Sequence, residues 1–220
     1  MRGPQFNICF HGIGNPERQL EPGEEAYWIT PQLFSEVLDE VVGREDVALS
    51  FDDGNRSDVT HGLPGLSERG LVATFFALAG RLEQPGSLGE VELRALRAAG
   101  MTVGSHGFDH RPWRHLDEDQ QRREFVEARR LLVEASGGAV DEAALPLGRY
   151  DRQVLGRLRA EGYDHVYSSD RAPARRSSWL QPRYSIRAGD SGATVRAILL
   201  RPDGVHRTLQ RARMTVKRWR

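Results

Sequence analysis

Short apolar runs alternate along the chain with longer segments that carry apolar residues at helical spacing. The apolar, β-prone runs are predicted to be strands, and they lie at 6–11, 47–51, 71–78, 101–105, 143–147, 163–168 and 183–186. The amphipathic segments are predicted to be helices, and they lie at 31–42, 55–69, 87–99, 117–135, 151–160 and 191–200.

Strands that alternate with helices favour a parallel sheet built from βα units. We therefore predict an α/β fold, a (β/α) barrel of about seven parallel strands, and the pattern leaves open whether it closes completely. An open, doubly wound sheet is the alternative. Its usual Gly-rich phosphate fingerprint is absent after the first predicted strand, where the sequence is His-Gly-Ile-Gly-Asn.

Three of the predicted strands share one alternation of large apolar and smaller polar residues. In the first strand the bulky residues occupy the even positions, and His11 falls on the opposite side. The strands that precede Asp52 and His106 show the same alternation, which puts these two residues on the inner side as well. In a barrel whose bulky residues face the surrounding helices, three polar side chains would thus reach the same rim.

Two pairs of chemically active residues follow these strands. Asp52 and Asp53 are adjacent carboxylates, and such a pair tends to hold a cation or to shift a pKa, although Asp-Gly is also a common turn dipeptide. His106 and His110 are four residues apart, a spacing that puts two imidazoles on one side of a helical turn. Two His and one Asp form a three-ligand set with open positions, which is typical of catalytic metal sites.

Composition narrows the range of partners. Positive and negative residues balance at 31 each in the 220-residue chain, so no overall charge favours nucleic acid or an anionic membrane as a partner. We predict one catalytic domain over residues 1–220, with a basic tail from about residue 201. The single cysteine, Cys9, excludes an intramolecular disulfide, and no apolar segment has the character of a signal peptide or a transmembrane span. A cytoplasmic location is therefore expected.

Three motifs resemble those of a known family. The sequences Ser-Phe-Asp-Asp-Gly at 50–54, Ser-His-Gly-Phe-Asp-His at 105–110 and Leu-Pro-Leu-Gly at 145–148 resemble the successive motifs of the polysaccharide deacetylases, carbohydrate esterase family four. Ala-Thr-Phe-Phe at 73–76 lies where that family has its third strand. The resemblance extends from about residue 6 to about residue 200, and it implies a barrel fold and removal of an N-acetyl group.

The resemblance also implies a role for each matching residue. Asp53, His106 and His110 correspond to the ligands of a divalent metal, and Asp52 corresponds to the general base. Zn²⁺ is the expected ion, with Co²⁺, Ni²⁺, Mn²⁺ and Fe²⁺ as alternatives. The implied chemistry is hydrolysis by a metal-activated water that loses its proton to Asp52, with the backbone N–H of Leu147 stabilising the oxyanion.

The general acid departs from the usual family pattern. It is commonly a histidine in a Leu-x-His motif near the C-terminus, whereas circularly permuted members carry it on the first strand. His11, at the end of the first predicted strand, matches the permuted type, while His206 follows a turn sequence in the basic tail. We therefore predict His11 as the acid. The alternative is a strand-end histidine bonded to the neighbouring loop.

Two further motifs are incomplete. Ala144 stands where the family has an arginine that orients the catalytic Asp, and Arg149 is the nearby candidate to replace it. The family's fourth motif, an Asp with a Trp that lines the pocket, remains only as Asp170. Trp28 and Trp113 are candidate residues for stacking on a sugar, with a partly buried aromatic residue as the alternative for each.

Three functions fit these residues. The leading one is a metal-dependent hydrolase that removes an N-acetyl group from an N-acetylated sugar or glycoconjugate. A non-haem iron enzyme could use the same ligand set, but Asp52 beside the ligand Asp53 favours hydrolysis because an oxygenase has no need of that base. A non-catalytic binding protein on a decayed deacetylase scaffold is the third, suggested by the incomplete motifs. Metal content and acetate release distinguish them.

Overall fold

The computed structural model describes residues 4–200, 215 and 217. In chain order its strands are β1 (Phe6–Phe10), β2 (Gly12–Ile13), β3 (Trp28–Ile29), β4 (Val47–Phe51), β5 (Ala73–Ala77), β6 (Thr102–Ser105), β7 (Glu142–Ala144), β8 (His165–Ser168) and β9 (Leu180–Ser185). The helices are α1 (Pro31–Val41), α2 (Leu63–Ser67), α3 (Glu90–Ala98), α4 (Glu118–Gln121), α5 (Ala128–Ser136), α6 (Arg152–Ala160) and α7 (Gly192–Leu199).

Strand β1 and strands β4 to β9 form a closed barrel of seven parallel strands. The barrel closes where β9 pairs with β1, with Arg183 opposite Asn7. The predicted fold is therefore confirmed, and the question of closure is settled in favour of a complete barrel. Strands β2 and β3 form a separate two-stranded parallel sheet in the segment between the first predicted strand and the first predicted helix.

The large apolar residues of the strands pack outward against the helices. Phe10 of β1 lies edge-on to Phe34 of α1, with ring centroids 5.0 Å apart, and Phe51 of β4 stacks on Phe75 of β5 at 4.5 Å. Each fully buried Phe of this kind stabilises the fold by roughly 1.5–3 kcal/mol. Since the bulky residues occupy the outside of the barrel, the smaller and polar residues between them face its interior, as the alternation predicts.

Helix starts follow local capping, and one of them differs from the prediction. Helix α1 begins at Pro31 as predicted, and Thr30 caps it, since its hydroxyl accepts a hydrogen bond from Leu33 N at 3.1 Å. The expected start of α3 at Ser87 is wrong, because the helix begins at Glu90. The Glu92 carboxylate accepts from Gly89 N at 2.9 Å, which moves the cap two residues along the chain.

No helix within the described part of the chain combines the length and the apolar character that a membrane crossing requires.

Candidate metal centre and active site

The chemically active side chains meet in one cleft at the carboxyl ends of the barrel strands. This cleft has a volume of about 400 Å³. The residues that line it include His11, Glu21, Tyr27, Asp52, Asp53, His106, His110, Leu147, Arg149 and Arg183. Active sites of (β/α) barrels lie at this end of the barrel, because the loops that follow the strands converge there.

Asp53, His106 and His110 converge on one point. Asp53 Oδ1 lies 3.5 Å from His106 Nε2 and 3.3 Å from His110 Nε2, and all three ligand atoms lie within 4.8 Å of one another. Asp53 is buried, and its Oδ1 has no hydrogen-bond partner. Ligands about 2.1 Å from a tetrahedral zinc ion would lie about 3.4 Å from each other. The three residues therefore fit a divalent metal ion, which would also satisfy the unpaired oxygen.

The far nitrogen of each histidine ring has a partner that fixes the tautomer. His106 Nδ1 lies 2.9 Å from the carbonyl oxygen of Ala144, and His110 Nδ1 lies 2.7 Å from Glu21 Oε2. Both partners are acceptors, so Nδ1 carries the proton and the Nε2 lone pair points toward Asp53. Burial lowers the pKa of His106 to about 4, which keeps the ring neutral, as a metal ligand must be.

The loop between the two histidines is not the helical turn that their spacing predicts. Gly107 has φ +85° and His110 has φ +52°, and this left-handed loop brings the two rings to 5.3 Å. His110 and Asp53, which has φ +76°, belong to residue types that tolerate this region better than most, at a cost of order 1 kcal/mol each. Such strain is typical of functional sites.

Glu124 organises this loop, although the sequence places it in a charged amphipathic helix. Its side chain is 1% exposed and accepts hydrogen bonds from Phe108 N at 2.7 Å, Asp109 N at 3.1 Å and the Trp113 indole at 3.1 Å. A Cβ on Gly107 would lie 2.3 Å from Glu124 Oε2, so only glycine fits there. Trp113 is itself 1% exposed, and the prediction that it stacks on a sugar is therefore wrong.

The other carboxylate of the acidic pair, Asp52, is held by Arg183. The guanidinium donates to both carboxylate oxygens at 2.6 Å and to Ser50 Oγ at 3.1 Å. It also lies near the rings of Phe76 and Tyr167, 5.3 and 5.7 Å from their centroids. Burial alone would raise the pKa of Asp52, but the charge and hydrogen bonds of Arg183, together with the neighbouring His106 and His11, outweigh burial and hold this pKa well below its usual range. Asp52 is therefore an oriented, ionised carboxylate.

Arg183, and not the predicted candidate Arg149, pairs with Asp52. Arg149 is exposed at the rim of the cleft, whereas Arg183 is 1% exposed and reaches Asp52 from β9. The orienting arginine that is missing at Ala144 thus comes from another strand. One sequence signal could have found it: polar Gln181, Arg183 and Ser185 alternate with Leu180, Pro182 and Tyr184 in the last strand, which puts Arg183 inside the barrel.

His11 lies in the cleft, on the interior side that the alternation predicts. Its Nε2 is 4.0 Å from Asp52 Oδ2, and its ring lies 4.8 Å from the ring of Tyr27. Tyr27 in turn accepts a hydrogen bond from Arg187 at 2.9 Å. His206, the other histidine considered for the same role, lies outside the described residues, as does most of the basic tail.

Cys9, His11 and Asp52 form a second group whose ligand atoms lie within 4.8 Å of one another. This group is less suited to a metal than the first. Arg183 occupies both oxygens of Asp52, and burial raises the pKa of the Cys9 thiol, which opposes the thiolate form that a metal needs. The donor atoms therefore favour the centre at Asp53.

The remaining predicted site residues differ in their positions. Leu147 lines the cleft from the turn Pro146–Gly148, with φ +55°. Trp28 packs against Gly12, where a Cβ would lie 2.1 Å from the indole, and among these neighbours it is Tyr27 that faces the cleft. Asp170 accepts hydrogen bonds from three side chains outside the cleft lining, namely Tyr150, Ser168 and Lys217, at 2.6–2.7 Å. The structure therefore does not bring Trp28 or Asp170 to the cleft.

Comparison with known proteins points to one family. A family model described as polysaccharide deacetylase matches residues 39–166, more than half of the chain. YxkH of Bacillus subtilis, whose name describes a polysaccharide deacetylase, is 24% identical over 208 residues, which cover 87% of this chain and 75% of YxkH. The peptidoglycan N-acetylglucosamine deacetylase PgdA of Listeria monocytogenes is 30% identical over 109 residues, which cover 49% of this chain and 22% of PgdA.

Solved structures show the same barrel. The crystal structure of a polysaccharide deacetylase from Bacillus cereus aligns with a TM-score of 0.78 at 14% sequence identity, and the alignment covers 90% of this chain and 69% of that one. At this identity the likeness shows the fold alone. The matched segment 39–166 contains Asp52, Asp53, His106 and His110, while His11, Glu21 and Arg183 lie outside it.

Proposed function

The chain belongs to the polysaccharide deacetylase family, and on this premise we propose that it deacetylates an N-acetylated sugar with a divalent metal held by Asp53, His106 and His110. As a member of this family it is a hydrolase that acts on N-acetyl amide bonds. The bound metal, the role of each residue and the sugar substrate are proposals.

One observation carries the metal-dependent mechanism. Asp53 Oδ1 is buried without a hydrogen-bond partner, and the Nε2 atoms of His106 and His110 lie 3.5 and 3.3 Å from it. An unsatisfied buried carboxylate oxygen costs free energy that a bound cation would recover. Two His and one Asp leave positions open for a water molecule and a substrate oxygen.

The residues around this centre supply the proton transfers. When bound, the ion would polarise the acetamide carbonyl and lower the pKa of a water molecule. Asp52 then accepts the proton of the attacking water, and Arg183 keeps this carboxylate ionised and oriented. Because that pairing makes Asp52 a weak base, the proposal requires a water molecule whose pKa is lowered.

Collapse of the tetrahedral adduct needs a proton for the departing nitrogen. His11 is the proposed donor of this proton, supported by its position in the cleft lining with Nε2 4.0 Å from Asp52 Oδ2. Tyr27 packs against the imidazole, with ring centroids 4.8 Å apart, and limits its rotation. The N–H of Leu147 is the proposed donor to the oxyanion, supported by the position of this residue in the turn that lines the cleft.

The alternatives fit the site less well. A non-haem iron oxygenase would use the same three ligands but has no role for an ionised Asp52 beside them. A decayed scaffold would be expected to lose the residue that orients the base, yet Arg183 supplies it from β9. The name of the Listeria relative makes N-acetylglucosamine compounds the first substrates to test, together with nucleotide-linked and lipid-linked N-acetyl sugars.

The test measures bound metal and released acetate together, for wild type and for two variants. Asp53→Ala should lose the metal, whereas Asp52→Asn should keep it and lose about 10²–10⁴-fold in turnover. Asp52→Asn with bound metal and a wild-type rate would remove the base assignment. Acetate release that persists at full rate after chelation and dialysis would remove the metal from the mechanism.

A further inference from the structure

We propose that Glu21 is a positioning residue of the metal centre: it holds the ligand His110 from the loop between β2 and β3. The inference rests on the proposed function, because it assumes that Asp53, His106 and His110 bind a metal. Glu21 lies outside residues 39–166, the segment that matches the family model, and it is 89 residues from His110 in sequence.

The carboxylate of Glu21 contacts both His110 and Arg81. Glu21 Oε2 lies 2.7 Å from His110 Nδ1, and the His110 side chain is 8% exposed. The other oxygen of Glu21 forms an ion pair with Arg81, in the turn that follows β5. Because each carboxylate oxygen has a different partner, the Glu21 carboxylate is fixed in the orientation that His110 requires.

The loop that carries Glu21 is anchored next to the acidic pair. Glu24 accepts a hydrogen bond from Glu21 N at 2.8 Å and forms an ion pair with Arg18. Arg18 Nε donates in turn to Asn55 Oδ1 at 3.0 Å, two residues after Asp53. The loop is thereby attached to the segment that supplies the ligand Asp53, while its Glu21 contacts the ligand His110.

A carboxylate behind a metal-binding imidazole fixes the ring and makes its other nitrogen a better donor. Removing such a partner typically weakens metal affinity about 10–100-fold. His110 needs such a partner more than a histidine in a helix would, because its backbone is in the left-handed region and no helix fixes its position. The Glu21 side chain is also 40% exposed in the cleft, so Glu21 could instead contact the substrate directly. A test of positioning must therefore be made without substrate.

The experiment titrates metal-free protein with Zn²⁺ against a competing chelator, with no sugar present. Glu21→Ala should bind Zn²⁺ about 10–100-fold more weakly than wild type. Glu21→Gln should fall between the two, because its amide oxygen accepts the hydrogen bond without the charge. Glu25→Ala is the matched control, an exposed glutamate of the same loop, and it should bind like wild type.

Two further measurements separate positioning from a purely structural role. The melting temperature of metal-free Glu21→Ala should stay close to that of metal-free wild type, and the visible spectrum of its Co²⁺ form should differ from the wild-type spectrum. Equal Zn²⁺ affinities for Glu21→Ala, Glu25→Ala and wild type would overturn the inference and leave the proposed function standing. A wild type that binds neither Zn²⁺ nor Co²⁺ would overturn both.

Discussion

Replacing Arg183 by methionine should destabilise the protein far more than the loss of an ordinary ion pair. Asp52 is 3% exposed, and the guanidinium is its closest positive group, at 2.6 Å from each oxygen. The two nearest imidazole nitrogens, on His11 and His106, lie 4.0 Å away. Arg183→Met would therefore leave a buried carboxylate without a charged partner.

The expected loss follows from this burial. Removing one member of a buried ion pair typically costs about 3–5 kcal/mol of unfolding free energy. At roughly 2–4 °C per kcal/mol for a chain of this length, the melting temperature should fall by about 6–20 °C. Asp52→Asn combined with Arg183→Met should recover part of the loss, because the double variant buries no unpaired charge.

Urea unfolding followed by circular dichroism measures the difference, with chelator present so that metal binding does not contribute. Arg44→Met is the matched control, since Arg44 also pairs with both oxygens of a carboxylate, Asp46, but at the surface. It should cost less than about 1 kcal/mol. An Arg183→Met variant no less stable than Arg44→Met would refute the view that Arg183 maintains a buried, ionised Asp52.

Two further predictions concern other titratable groups. His11→Ala should keep its metal and lose about 10²–10⁴-fold in acetate release, whereas His206→Ala should change little; the opposite result would move the acid to His206. Asp58 is fully buried, both its oxygens lack partners, and burial together with the charges of Asp53 and Asp52 raises its pKa well above the usual value. Its contribution to stability is therefore complete below about pH 4 and is lost as the pH rises toward the raised pKa. The unfolding free energy of metal-free Asp58→Asn should accordingly increase relative to wild type between about pH 4 and pH 8, and parallel curves would contradict this.

The barrel and its inward-facing residues were accessible from the sequence because strand alternation is a local property. A period of two in the first strand and in the strands before Asp52 and His106 is enough to separate the outer face from the interior. The same rule applied to 180–185 would have placed Arg183 inside. The third motif instead predicts an arginine at position 144, which is Ala144, and Arg149 is only the nearest substitute along the sequence.

Glu124 shows a limit of pattern reading. It lies in a segment of charged residues, where a glutamate normally faces solvent. The helix contains a π-helical turn at Arg122–Glu127, and the neighbours Glu124 and Phe125 are both buried there. The π-helical turn changes the register of the helix there, and the buried carboxylate accepts hydrogen bonds from the backbone of the loop that follows β6 and from the indole of Trp113. No spacing rule in the sequence encodes that contact.

The motif residues come from two strands, but the groups that hold them come from elsewhere in the barrel. Asp52 is held by Arg183 of β9, His106 by the carbonyl of Ala144 in β7, and His110 by Glu21 of the loop before β3. Because a closed barrel brings the ends of all its strands to one rim, a given point there can be reached from several strands. An orienting arginine can thus be absent from one motif and present on another strand without loss of geometry, while the residues proposed to bind the metal and to accept the proton must stay where the backbone directs them.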